Sequence, residues 1–381
     1  MDILLSLAML LFAAKIGGFI SKKIGQSAVL GEIVAGVIIG PSAFGLFTYT
    51  EFFSTFSELG IVFLMFLVGL ELNIKSFEHF LKRGALIALV GAFLPYLVGI
   101  AVASLLFHWS ALQSFLFGVI LMASSVTITA AILRDLKKLK SPIGLTILDA
   151  AVVDDVIGIT MLTFLLAVTK ATTFSIIDFG GIMLKVLVFF IGVFLAGPQL
   201  AKYVIALGEH LDLRVEEGHL SVIIILILTL AILANAIGLS IVVGAFLAGM
   251  ILDKRRVKAA GHEIYSMAYG LFVPVFFVLI GSYVVVGTLL SNLPLIFLIV
   301  AIAIITKLVG AGLGARLSKM NWRQSLIIGV GMIPRCEVAL ILALMGTTLH
   351  IIDTEIYSVL VTAIVLTAIV TPILLKAVMR D

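Results

Sequence analysis

The chain has 381 residues, 62% of them hydrophobic and only 12% charged, with a mean hydropathy of +1.30. A soluble chain carries roughly twice that charged fraction, so composition excludes an ordinary soluble domain, and the long unbroken apolar runs exclude a membrane β-barrel. The net charge of +4 and pI of 9.1 are explained by basic cytoplasmic loops rather than a nucleic-acid partner, and the single cysteine, Cys336, can build neither a disulfide framework nor a metal cluster.

Thirteen apolar segments follow one another, at about 3–20, 28–46, 58–74, 84–107, 113–136, 142–168, 179–205, 219–236, 240–254, 264–287, 292–316, 323–347 and 354–379. Backbone groups in lipid must pair within their own segment, so these are helices, and the fold class is an all-α polytopic membrane protein with about 13 spans. The first segment has no basic region before it and no A-x-A cleavage site after it, so it is a span and not a signal peptide. Its "KIGGFI" glycines would allow close helix contact. The loops alternate in charge. One set, from Lys22 and Lys23 to Lys376 and Arg380, carries 20 of the 25 basic residues. The other set holds Lys170 beside Glu51, Glu58, Asp178, Asp353 and Glu355. The basic set belongs in the cytoplasm, which puts the N-terminus outside and the C-terminus inside a cell (inner) membrane.

Segment two, "IVAGVIIG", and segment nine, "VVGAFLAG", share a small-and-apolar texture although they run in opposite directions. Segments one to six (1–168) and eight to thirteen (219–381) would then be inverted repeats within one transporter domain, with 179–205 as connector. Two segments look broken in matching positions. Segment five carries "ASSVTIT", Ala123 to Thr129, and segment twelve carries Gly329, Gly331 and Pro334. Proline removes a backbone donor, and the freed carbonyls, with hydroxyls such as Ser125 and Thr127, can supply oxygen ligands to a small cation.

Few charges remain at depth. Lys15, Glu32, Glu71 and Lys185 lie nearer segment ends, where long side chains snorkel to the headgroups. Asp149 is a candidate vestibule residue. Asp154 and Asp155 sit near the middle of segment six, where an aspartate costs about 2.5–3.5 kcal/mol to insert. Adjacent helical residues point about 100° apart, so the two carboxyls face different neighbours. Lys307 in segment eleven and Arg335 in segment twelve are cationic partners at similar depth, and Glu337 could pair with Arg335 or with another helix. Pairing within this set would leave one carboxylate uncommitted.

"GEIVAGVIIGPSAFGL", "VVDDVIGI", the lysine of "ITKLVGAGLGARL" and "GMIPRCEVALI" together resemble the cation:proton antiporter-2 family, over nearly the whole chain. The resemblance implies a NapA-like inverted-repeat dimer in which segments five and twelve unwind and cross. It implies that Asp155 binds the ion, that Asp154 pairs with Lys307, that Thr127 lies in the unwound part of segment five, and that Arg335 and Glu337 sit near the crossing. The family usually has glycine where this chain has Cys336. Kef-type members append a cytosolic nucleotide-binding domain, and the chain stops at Asp381, so it lacks that domain or has been cut before it.

The expected function is therefore exchange of Na⁺, K⁺ or Li⁺ for protons, in the service of pH homeostasis. Aspartate beside aspartate, with a lysine, looks like the electrogenic type. Cation and protons would compete for the pair, with Asp155 as the cation ligand and Ser125 and Thr127 as neighbours. No cofactor is implied. A Kef-like potassium efflux channel or transporter and a sodium-coupled symporter are the alternatives. The channel lacks a TVGYG filter, and the sparse polar inventory suits a small ion better than an organic solute. An intramembrane aspartyl protease would need its aspartates on two helices, and H-E-x-x-H is absent, so the chain is not expected to be an enzyme.

Overall fold

The computed structural model describes residues 3–71, 74–169, 176–212, 217–254 and 257–379, and among them there is helix and no strand. Of the orientation signals, Lys170, Arg214, Arg255, Arg256 and Arg380 lie outside the described residues. The helices are α1 (Ile3–Lys23), α2 (Ala28–Ile39), α3 (Glu51–Glu71), α4 (Ile74–Leu105), α5 (Ala111–Met122), α6 (Val126–Asp135), α7 (Pro142–Thr169), α8 (Ile176–Asp212), α9 (Gly218–Ala236) and α10 (Ile241–Ile251). Then come α11 (Lys258–Met267), a π-helical turn (Ala268–Phe272), α12 (Val273–Ser282), α13 (Val286–Ser291), α14 (Leu293–Leu317), α15 (Trp322–Gly331), α16 (Glu337–Thr348) and α17 (Thr354–Met379).

Each apolar segment of the sequence contains helix. Among the described residues, nine helical stretches are long and apolar enough to cross a membrane, and α2, α10 and α16 are shorter apolar helices. At 1.5 Å per residue α2 and α10 extend about 16–18 Å, short of the roughly 30 Å hydrocarbon core. Both start the same way. Ser27 accepts a bond from Val29 N, and Ser240 one from Val242 N. α2 stops at Gly40 because Pro41 disfavours helix in the residue before it.

The chain divides into two compact units. The first holds residues 1–50, 80–172 and 277–381. In it α1 lies against α2 through Gly17 and Gly31, where a Cβ on either would strike the other's carbonyl oxygen. Gly17 of the "KIGGFI" stretch thus serves a close contact inside the chain. Its interior is apolar around Leu116, Phe117, Ile120, Leu342 and Leu360. The second unit holds residues 51–79 and 173–276. There α3 and α10 approach through Gly69 and Gly249, whose missing side chains face the Phe246 and Phe66 carbonyls. Lipid is as apolar as leucine, so small residues that let backbones meet are what hold such helices together.

Candidate functional site

The site forms where two helices are interrupted. Segment five is helical to Met122, extended at Ala123, and helical again from Val126. Segment twelve is helical to Gly331 and again from Glu337. Both are entered through capping boxes, Ser110 with Gln113 and Asn321 with Gln324. The breaks are bonded to each other. Ser125 N donates to Pro334 O (2.7 Å), Thr129 Oγ1 to Gly331 O (2.7 Å) and Ser125 Oγ to Glu337 Oε2 (2.8 Å).

A helix that ends in lipid leaves carbonyls without partners and a negative dipole end. Two buried cations meet that need. Arg335, 1% exposed, donates from Nε and Nη2 to Leu121 O (3.1 and 2.7 Å), from Nη2 to Ala303 O (2.9 Å) and from Nη1 to Ile333 O (2.8 Å). Lys307, fully buried, donates to Met122 O (2.6 Å). Arg335 and Glu337 do not pair with each other among the described residues. The arginine serves carbonyls and the glutamate takes the Ser125 hydroxyl.

The two aspartates of α7 have different surroundings, as their 100° separation requires. Asp154 is fully committed. It accepts Lys307 Nζ at 3.0 and 3.1 Å, Ser124 N at 2.9 Å, and the Ser124 hydroxyl. Asp155, 5% exposed, makes no hydrogen bond or ion pair among the described residues. Glu337, Asp154 and Lys307 are near enough to act on it electrostatically. Close by, Thr127 Oγ1 and Glu337 Oε1 are buried without a hydrogen-bond partner. A buried polar oxygen left open is costly; these two, with the Asp155 carboxyl, give the site one hydroxyl and two carboxyls.

The structure brings Asp154, Asp155, Lys307, Ser125, Thr127, Arg335 and Glu337 to the neighbourhood of the two breaks. Of the outlying charges, Lys15 and Lys185 are exposed, as snorkelling predicts. Glu71 pairs with Lys254 at 2.5 Å. Glu32 differs from expectation: it is only 9% exposed, tucked toward Gly18 of α1. Ser124, the Met122 carbonyl and Thr367, whose Oγ1 accepts Arg335 N (3.1 Å), went unread in the sequence. The tandem serine at the break was a usable signal for Ser124; a backbone carbonyl carries none.

A lysine–carboxylate pair and an open carboxylate, at the meeting of two broken helices in a membrane chain, define a secondary ion transporter. The chain belongs to the sodium/hydrogen exchanger family, whose transmembrane model matches residues 8–381. It is 36% identical over 371 residues to a probable Na⁺/H⁺ antiporter, GerT, of Bacillus cereus, covering 97% of each chain. It is 33% identical to a Na⁺/H⁺ antiporter of Enterococcus hirae (97% and 96% covered) and 33% identical to the Na⁺/H⁺-K⁺ antiporter GerN of Bacillus cereus (97% and 94%). Its fold matches that of the sodium proton antiporter MjNhaP1 of Methanocaldococcus jannaschii with a TM-score of 0.70 at 18% identity, covering 99% and 96% of the two chains.

Proposed function

We propose that this chain exchanges Na⁺ or K⁺ for protons, with Asp155 carrying cation and proton in turn. The observation that supports this most is the division of labour in the aspartate pair: Lys307 and Ser124 engage Asp154 and leave Asp155 uncommitted. The relatives named as Na⁺/H⁺ antiporters, and GerN with K⁺ as well, support the choice of ions.

Two carboxyls side by side in a dry site resist ionising together. Without a cation Asp155 keeps its proton. A partly dehydrated cation entering from one side displaces that proton to the water on the same side and is held by the Asp155 carboxylate, with the Thr127 hydroxyl and nearby carbonyls completing its shell. The Glu337 carboxyl, already taking the Ser125 hydroxyl, adds negative charge beside the cation. Ion and proton never occupy the site together, so exchange follows from competition alone. In the electrogenic form, cation binding also breaks the Lys307–Asp154 bridge and releases a second proton from Lys307 or Asp154. The paired local features of segments two and nine, and of five and twelve, support the inverted repeat. We extend the reading to 13 crossings, an elevator-like movement of the core, a homodimer, and a cell membrane with the N-terminus outside.

The test uses purified protein in liposomes with an internal pH dye, an imposed proton gradient and a potassium-clamped voltage. Addition of Na⁺, K⁺ or Li⁺ should collapse the gradient at a voltage-dependent rate. Proton flux that no cation moves would end the antiporter reading. Rapid cation flux without proton counterflow would make the protein a channel.

A further inference from the structure

The site leaves one buried carboxyl of α7 unused. Asp149 is 1% exposed, and its Oδ2 has no hydrogen-bond partner among the described residues. α4 crosses α7 at this point. A Cβ on Gly84 would sit 2.9 Å from Asp149 Cβ and 3.0 Å from Ala150 N, so the wall facing the aspartate is bare backbone. The charged groups of the elements around α7 are directed elsewhere. Arg83 of α4 and Arg323 of α15 are exposed, and Arg134 of α6 is engaged with another group. Asp135 accepts Ser27 Oγ (2.7 Å) and Ala28 N (2.9 Å) at the start of α2. Glu337 of α16 acts electrostatically on Asp155.

Position along α7 gives this group a use. Thr146, Asp149, Val152 and Asp155 are spaced three residues apart and so lie on one ridge of the helix. Each step rises about 4.5 Å and turns about 60° around the axis, which puts Asp149 about 9 Å along the axis from Asp155 toward the Pro142 end, and about 120° around it. That end adjoins the basic loop of Lys137, Lys138 and Lys140. Thr146 is buried one step further out, and Val152, 2% exposed, lies between the two acids along this row. A carboxyl buried without a counter-charge is tolerated when it holds a proton. A cation there would need several oxygen ligands, and Gly84 offers no side chain to supply one.

We propose that Asp149 is a proton-relay residue between Asp155 and the cytoplasmic face. When a cation binds from that face, the proton leaving Asp155 passes Val152 through bridging water to Asp149 and on to the cytoplasm, and returns by the same route. This inference rests on the antiporter reading. In liposomes of known protein orientation, proton flux is followed after a Na⁺ jump while the pH of each face is varied separately. Asp149→Asn keeps the shape and removes the proton-carrying group. The maximal rate should fall at least about tenfold where cytoplasmic-face pH limits exchange, within the roughly 10²-fold or more that a positioned acid–base group contributes. Half-saturating Na⁺ and the pH profile of the opposite face should not change, and Asp149→Glu should restore the rate. The infrared absorption spectrum of the cation-free protein should lose one protonated-carboxyl component in Asp149→Asn. PH profiles identical to wild type on both faces, or equal slowing at both, would overturn the relay. If Asp149→Asn does not fold, Asp149→Glu decides: an unshifted cytoplasmic profile overturns the relay and a shifted one supports it. Wild-type protein that exchanges no cation for protons would instead sink the antiporter reading.

Discussion

Removing the ammonium from the centre of the site should be costly. Lys307 is fully buried and Asp154 is 2% exposed, and they meet at 3.0 and 3.1 Å. In Lys307→Met the carboxylate keeps only Ser124, and the Met122 carbonyl loses its 2.6 Å donor. Breaking one side of a buried pair costs about 3–5 kcal/mol, and an orphaned carbonyl adds about 1–3 kcal/mol. At roughly 1–2 °C per kcal/mol for a chain of this size, the melting temperature should drop about 4–16 °C at neutral pH. Asp154→Asn combined with Lys307→Met should lose less than the two single losses together, with a coupling of about 1–3 kcal/mol. Thermal unfolding in detergent reads all of this. Additive losses would refute the pairing.

Asp155→Asn should behave oppositely, since Asp155 makes no hydrogen bond or ion pair among the described residues: it should melt near the wild-type temperature yet exchange nothing, which parallel melting and dye assays check. A large loss of stability would mean that Asp155 is structural. Arg335→Ala strips donors from the Leu121, Ala303 and Ile333 carbonyls. At about 1–3 kcal/mol each, little folded protein should survive, as judged by size-exclusion recovery; normal yield and melting would contradict the capping role. Gly36→Val should destabilise by at least the roughly 1–3 kcal/mol of an overpacked contact, because a Cβ there strikes the Val278 backbone of α12. A neutral result would mean that α2 and α12 are not in contact there.

Much of the site could be read from the sequence because charge is expensive in lipid. Subtracting the loop residues left a handful of groups, and Asp154, Asp155, Lys307, Arg335 and Glu337 all gather near the breaks. The interruption in segment five was legible from its hydroxyl run, and that in segment twelve from Gly329, Gly331 and Pro334. Proline alone would have misled: Pro95, Pro198 and Pro372 all lie inside continuous helices. The difference at Pro334 is local company, two glycines before it and an arginine after it that takes up freed carbonyls. What was not legible was partner choice. Nothing in the spacing says that Glu337 prefers Ser125 to Arg335, because that depends on how two distant segments cross. The burial of Glu32 was missed for the same reason, since it depends on how α1 lies over α2, with Gly18 beside the Glu32 carboxyl.

The central claim is that cation and proton compete for Asp155. Transient currents on a solid-supported membrane give the half-saturating Na⁺ (or K⁺) concentration at successive pH values. Competition for one carboxylate predicts a half-saturating concentration that rises at least about tenfold for each pH unit of acidification below the proton-binding midpoint, tenfold for the proton on Asp155 and more where a second proton leaves with it, with an unchanged maximal signal and no signal from Asp155→Asn. A half-saturating concentration independent of pH, or an Asp155→Asn protein that still gives cation-dependent currents, would contradict it.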